Sequence, residues 1–380
     1  MTLRTLALLL GLQAAALLGA CSPDFAPAWA IDKLHLLAVQ AEPPEIAPSP
    51  AHGATADAPD RAHLSALVAD PRHLADPTWR SSVVYLACTP RPDDSSTNPC
   101  LRFEALGDPA ALIAESGAAA GACESLGAEF GTGVVGGVTF AGIEECDGSG
   151  CRPPFGLPAP TYVLPPDLRL EGLPAGAGAR ANGVVVVVVA LTLDAPPEDL
   201  LVADLADPCV AAQQLLASLQ QRSSEGLISI KRLTVRGPDA TDEPNRNPAI
   251  PGITANGTAL PDPSLDYFAA RSDVSLLPLL PVGADGEPLP PERFLQSYTK
   301  RDGSGLAMSI DTEQWVYSWY STAGTLKELH TKKLDAAETW TAPGDAQHPI
   351  PTDGRLRLYA VVRDQRGGVA WTMREARVTP

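Results

Sequence analysis

Apolar residues in this chain alternate with polar ones over short stretches far more often than they recur at helical spacing. Leu34–Ala41 (LHLLAVQA) reads as a strand, and Ala62–Asp70 sets Ala62, Leu64, Ala66 and Val68 on one face with His63 and Ser65 on the other. Ser82–Cys88 and Thr161–Leu164 are further β-rich runs. Gly183–Leu193 (GVVVVVVALTL) is apolar on both faces, the mark of a central strand covered on both sides. Ile228–Val235 opens a second β region. Beyond it Trp315, Tyr317 and Trp319 alternate, Thr339–Thr341 carries Trp340, and Leu356, Leu358, Ala360 and Val362 alternate with Arg355, Arg357, Tyr359 and Val361. Asp364–Gly368 (DQRGG) supplies turn chemistry before Val369–Met373 pairs back as a hairpin. One helix is well supported, over 208–222: Asp207 can cap it, Pro208 takes the favoured first position, and Val210, Leu215, Leu216 and Leu219 form a stripe. A brief helix is also allowed around Pro109–Ala114.

Between these elements the chain is rich in loops. Glu42–Pro50 (EPPEIAPSP) reads as an extended proline-rich crossing and Ala51–Asp60 as a small-residue loop. Thr89–Pro160 is turn-rich and reads as a long insertion rather than regular sheet. The expected organisation is a leader (1–20), a tether (21–30), a first domain (31–225) with an insertion at about 89–160, and a second domain (226–380).

Composition sharpens this picture. The chain has 380 residues, of which 38 are proline, roughly twice the usual share, and this load opposes long helices. A net charge of −17 makes nucleic acid an unsuitable partner, because its recognition requires a basic footprint. The 45% hydrophobic content suffices for a buried core.

The N-terminus carries an address. Arg4 precedes an apolar run from Leu6 to Leu18, too short to span a bilayer, and small residues then lead to Cys21. Leu18-Gly19-Ala20-Cys21 resembles the lipobox of bacterial lipoproteins. That resemblance implies cleavage before Cys21, acylation of its sulfur and new amino group, and membrane attachment through the lipid. Ser22, standing where an Asp often favours inner-membrane retention, implies the outer membrane, on its periplasmic or cell-surface face.

Six cysteines remain: Cys88, Cys100, Cys123, Cys146, Cys151 and Cys209. Their even number in an exported chain points to as many as three disulfides. A simple assignment closes Cys88–Cys100 and Cys146–Cys151 as local loops and leaves Cys123–Cys209 as the long link. The sequence itself does not select among the fifteen pairings. Zinc is the rival reading, but Cys146 and Cys151 are separated by four residues with no CxxC and no nearby His.

The second half resembles a bacterial Ig-like sandwich of the PKD or cadherin type. The resemblance rests on Tyr317-Ser-Trp319-Tyr320, Thr339-Trp-Thr-Ala-Pro343 and Leu358-Tyr-Ala-Val-Val-Arg-Asp364 with its Gly-Gly turn. It implies that Trp319 is core and Asp364 a turn former. The first half shares the pattern faintly: Ala190-Leu-Thr-Leu-Asp194 and Ala360-Val-Val-Arg-Asp364 end two β segments alike. The expected fold class is therefore mainly β, two Ig-like antiparallel β-sandwich domains, the first bearing the cysteine-rich insertion and the short helix.

Candidate chemistry is sparse. Gly131-Thr-Gly133-Val-Val-Gly136 matches GxGxxG, yet β-like, glycine-broken sequence follows where a dinucleotide site needs a helix. The six histidines form no HExxH or close pair, and Ser149 and Ser304 lie in no GxSxG elbow. Asp239, Asp242, Glu243, Asn245 and Asn247 make an oxygen-rich segment resembling the interdomain linkers of cadherins, which bind Ca²⁺; a solvated acidic turn is the plainer reading. Tyr298, Trp340 and Trp371 are either a ligand platform or core. No catalytic residue is assigned. The expected role is a lipid-anchored envelope protein that binds, adheres or scaffolds, with an envelope protein or polysaccharide as partner. The alternative is an exported hydrolase or an accessory of a polymer-degrading system.

Overall fold

The computed structural model describes residues 27–48, 60–89, 134–135, 138–154, 156–165, 184–200, 226–237, 243–260, 266–289, 291–299, 306–332 and 336–380. The lipobox with Cys21, the expected helices at 109–114 and 208–222, Ser304, and Cys100, Cys123 and Cys209 lie outside them. Among the described residues no helix is long and apolar enough to cross a membrane.

The strands of the first half are β1 (His35–Glu42), β2 (Glu45–Ile46), β3 (Arg61–Ala69), β4 (Ser81–Cys88), β5 (Val134–Val135), β6 (Val138–Asp147), β7 (Gly150–Arg152), β8 (Thr161–Val163), β9 (Val184–Leu193) and β10 (Leu227–Val235). Two single-turn helices, α1 (Arg72–Ala75) and α2 (Pro197–Leu200), sit at strand ends. The strands form a three-stranded sheet, β1-β3-β8, facing a seven-stranded sheet, β2-β10-β9-β4-β6-β5, with β7 paired to β6.

The second half contributes β11 (Gly252–Ala255), β12 (Thr258–Ala259), β13 (Asp266–Ala269), β14 (Asp273–Leu279), β15 (Arg293–Thr299), β16 (Leu306–Thr312), β17 (Val316–Ser321), β18 (Thr325–Leu326), β19 (His330–Thr331), β20 (Glu338–Thr341), β21 (Arg355–Arg363) and β22 (Val369–Thr379). They make two five-stranded sheets, β12-β11-β14-β20-β18 and β13-β22-β21-β17-β19, and a separate two-stranded arm, β15-β16. Pairing is antiparallel apart from β2 with β10 and β13 with β22. The mainly β, sandwich-type class expected from the alternation is what the chain adopts.

The sheets stack in four layers with three apolar seams. In the first seam, Ala62, Leu64, Ala66 and Val68 of β3 meet Val184, Val186, Val188 and Ala190 of β9. In the last, Tyr317, Trp319, Leu356, Leu358, Ala360 and Val362 meet Val274, Leu276 and Trp340. The middle seam joins the halves: Leu37, Ala38, Leu67 and Ala69 pack on Tyr359, Val361 and Val369. The three-stranded sheet is therefore apolar on both faces, which explains why Leu67 and Ala69 break the polar face expected opposite Ala66 and Val68. On β9 the odd-numbered Val187, Val189, Leu191 and Leu193 are buried on the outer face, so this strand is covered on both sides as its composition requires.

Two expectations are corrected. Part of the expected insertion is sheet: β6 is ten residues long and pairs with β4 from Ser81↔Cys146 to Cys88↔Val138. Its glycines and cysteines disguised it. Gly142 sits at φ +128°, and a Cβ there would come within 2.7 Å of the Pro160 backbone, so only glycine fits where the ladder slips between Tyr85 and Leu86. Val134 and Val135, inside the GxGxxG match, pair with β6. Secondly, β10 does not begin the second domain. It pairs with β9 along Leu227–Val235 and closes the first sandwich, so the division between halves falls after residue 235 rather than 225.

The two fully buried tryptophans have their indole N–H satisfied, Trp319 by Thr331 Oγ1 at 3.1 Å and Trp340 by the Ala323 carbonyl at 3.0 Å. Trp340 is thus core rather than ligand platform, and Trp371 packs at the middle seam. Replacing Trp340 by Ala removes a fully buried ring and should cost about 3–5 kcal/mol, with Phe costing less. Denaturant unfolding of the three proteins measures this; an alanine variant as stable as the parent would contradict the placement.

Candidate functional site at the junction of the sandwiches

The densest polar chemistry lies where the β21–β22 turn, Asp364–Gly368, enters the junction between halves. Asp364 shapes the turn: its Oδ1 accepts from the amides of Arg366 and Gly368, each at 2.7 Å. Gly368 must lack a side chain, because a Cβ would collide with Asp364 Oδ2 and lie 2.9 Å from the Arg246 carbonyl. The turn thereby drives Arg366 inward, where its side chain is 2% exposed.

Arg366 meets three carboxylates there. Its Nη2 is 3.3 Å from Glu45 Oε2, itself 2% exposed, and its Nη1 is 3.6 Å from Glu313 and 3.8 Å from Glu292. It also donates to the Glu243 carbonyl at 3.2 Å and lies 4.9 Å over the Phe294 ring. Glu45 accepts in addition from the Asn245 amide at 2.7 Å. Lys231 of β10 donates to the Gly367 carbonyl, and burial pushes its ammonium down to about 8. Burial raises the Glu313 carboxyl, opposed by a hydrogen bond from Trp315 Nε1.

The oxygen-rich segment serves this junction. Asn245 Nδ2 donates to Asp364 Oδ2 at 3.1 Å. Asn247 Nδ2 donates to Glu42 Oε2 at 2.5 Å and to the Ala41 carbonyl at 2.8 Å, while its Oδ1 accepts from the Val369 amide at 2.9 Å. These amides tie β1 to β22. Glu243 points outward, 90% exposed, with its carboxylate 4.0 Å from Arg246. Asp239 and Asp242 lie outside the described residues. Among the described residues no group of three or more His, Cys, Asp or Glu is placed to hold a metal ion.

An open cleft of about 530 Å³ adjoins the turn, lined by Glu243, Arg246, Glu292, Arg293, Phe294, Ile310 and Arg366. Both signs of charge surround an aromatic ring and an isoleucine that is 65% exposed. Such a lining suits the docking of a segment with polar and apolar groups. Tyr298 belongs to the β15-β16 pair, whose Arg293, Phe294 and Ile310 line this cleft.

A second buried acid lies inside the first sandwich. Glu144 of β6 accepts from Tyr85 Oη at 2.5 Å and from the Ala66 amide at 3.1 Å, closing a donor that β8, which pairs only with Arg61–His63, leaves open. His73 of α1 is buried against Trp79, ring centres 4.4 Å apart, and burial together with Arg357 pushes its imidazole down to about 4. Cys146 and Cys151 form a disulfide across the β6–β7 hairpin, which settles that pair against zinc, and Cys88 is disulfide-bonded as well. Neither Glu45 nor Arg366 carries a sequence signal beyond a lone acid in a proline-rich crossing and a lone base in a glycine turn.

Two measurements follow. Arg366→Ala strands Glu45 in the interior and should cost about 3–5 kcal/mol, whereas Glu45→Gln with Arg366→Gln together should cost less than the sum of the single changes. Additive losses in a double-mutant cycle would show that the pair is not coupled. For Glu144, burial raises the carboxyl from its ordinary 4.5 to about 7. The native state then holds a proton that the unfolded chain gives up, so this contribution is full below about pH 4.5 and lost as pH rises through about 7. Glu144→Gln cannot ionise and should gain in melting temperature relative to the parent from pH 5 to 8; parallel curves would refute this.

No protein-family model and no curated protein matches the chain. Among solved structures, a nucleoside hydrolase-related hypothetical protein from Saccharophagus degradans, associated with carbohydrate metabolism, aligns at 16% identity over 36% of this chain and 28% of its own, with a TM-score of 0.18. The native conformation of E. coli alpha-2-macroglobulin aligns at 11% identity over 92% of this chain and 17% of its own, with a TM-score of 0.19. The chain thus spans under a third of the length of either structure, and similarity at this level transfers no activity.

Proposed function

We propose that this chain is an exported cell-envelope protein, lipid-anchored at Cys21 in the outer membrane, whose fused sandwiches act as a non-catalytic binding, adhesion or scaffolding module. The observation that carries the reading is Leu18-Gly19-Ala20-Cys21 following a short apolar run. The Cys146–Cys151 disulfide supports it, since such bonds persist in oxidising compartments. The binding role draws on how the buried charges are used. Glu45, Arg366, Asn245 and Asn247 are bonded across the junction, and so hold a rim rather than stand ready for proton transfer. A mixed-charge cleft beside a bonded junction and a separate two-stranded arm offers loops on a strand scaffold, the usual arrangement for recognition. An envelope protein or polysaccharide is the partner class this favours.

Cys21→Ser in the native host should move the protein from the membrane fraction to the soluble exported fraction and abolish labelling by a palmitate analogue. Retention of the serine variant in the membrane would overturn the anchor.

A further inference from the structure

The strand registers give the four-layer stack two well-defined ends. At one end lie Glu42 of β1, Ile46 of β2, Val235 of β10 and the Asp364–Gly368 turn, together with the cleft. At the other lie His35 and Ala69, Ser81 and Cys146, and Ser321, Leu358, Arg355 and Arg377. The chain enters at this second end, and it is pinned there. Ala30 bridges Ser321 in parallel; the Ile31 amide donates to the Ser321 carbonyl at 2.9 Å, and the Ser321 amide donates to the Trp29 carbonyl at 3.1 Å. Ile31 is buried in the middle seam and Trp29 packs on the second sandwich's core. The Ala30 amide bonds back to the Pro27 carbonyl at 2.8 Å, so Pro27 also lies at this end.

We infer that the end of the stack bearing Ser321–Gly324 and Pro351–Gly354 faces the lipid surface, while the end carrying the Arg366 turn and its cleft is held away from it. This rests on the lipid-anchor reading of Cys21 and adds an orientation to it. The limiting quantity is length. From Cys21 to Pro27 the chain can span at most roughly 20 Å even when fully extended. The stack is longer, since a ten-residue strand such as β9 alone rises roughly 33 Å. While Trp29–Ile31 stays pinned, the tether is too short to let the cleft end turn down onto the bilayer. The cleft, with Glu243, Arg246, Arg293 and Phe294 on its rim, is thereby presented to whatever lies beyond the membrane surface.

Energy transfer on vesicles tests this. A donor dye is installed through p-azidophenylalanine at Thr352 in one full-length lipidated variant and at Glu243 in another, with an acceptor on the lipid headgroups. Transfer from position 352 should exceed that from 243 several-fold; equal or reversed efficiencies would overturn the orientation. Inserting a twenty-residue Gly/Ser segment after Ala26 should shrink the difference, and an undiminished difference would refute tether length as its cause. A third arm separates this inference from the anchor reading. Residues 22–380 with an N-terminal histidine tag, bound to nickel-chelating vesicles, should show the same order of efficiencies whether or not Cys21 is ever acylated. Failure of the native chain to reach membranes would then defeat the anchor alone, while a reversed order on the chelating vesicles would defeat the orientation.

Discussion

The arrangement of this molecule hinges on one buried guanidinium. Arg366 reaches the interior only because Asp364 and two glycines fold the β21–β22 turn tightly enough to aim it there. Once inside, it is tolerable because Glu45 arrives from the opposite sandwich with matching burial and the equally buried Glu313 lies 3.6 Å away. Each member makes the other's burial affordable, and the two come from positions far apart in the chain. Asn245 and Asn247 complete the arrangement by bonding Asp364, Glu42 and the β1 and β22 backbones. Two sandwiches joined by an apolar seam alone could slide along it. A charged pair with directional partners allows a single registration.

The seam itself has an unusual owner. The β1-β3-β8 sheet has only three strands yet contributes apolar side chains to the cores on either side of it. Apart from Arg61 and His63 on β3 and Glu42 on β1, the residues of these two strands are buried or partly buried, so the halves are not independent beads on a string. Loss of either neighbour would expose Leu37 and Leu67, or else Val39 and Leu64, to water.

Much of the architecture was legible in the alternation of apolar residues. β3, β17, β21 and the hairpin to β22 appear where period-two spacing and turn residues place them, β9 where its unbroken apolar run does, and Trp319 and Asp364 take the roles expected of them, with Trp340 on the core side of its two readings. What escaped is what pattern does not encode. β6 was hidden by a glycine-bearing bulge and a cysteine-rich context, both of which read locally as loop. β10 was assigned to the wrong half because a strand's partner is a long-range property: its own residues suit either sheet. The junction was less legible still, since Glu45, Asn247 and Arg366 acquire meaning only when residues more than a hundred positions apart meet. The oxygen-rich segment was read as a stretch inside the second domain resembling interdomain linkers; that it sits at the junction, with its asparagine amides acting as hydrogen-bond donors, was not legible.

The short bridge between Ala30 and Ser321 also fixes a load path. Although the N-terminus leads directly into β1, a strand that two cores share, its last residues before that strand are clamped to β17 of the other sandwich. A pull on the leading end is therefore met first by the Trp29 and Ser321 hydrogen bonds and by the buried Ile31. Through them it passes to β17, which is laddered to β21 along Val316–Ser321. Tension on that end is taken up by the second sandwich's sheet before it can peel β1 from the middle of the stack.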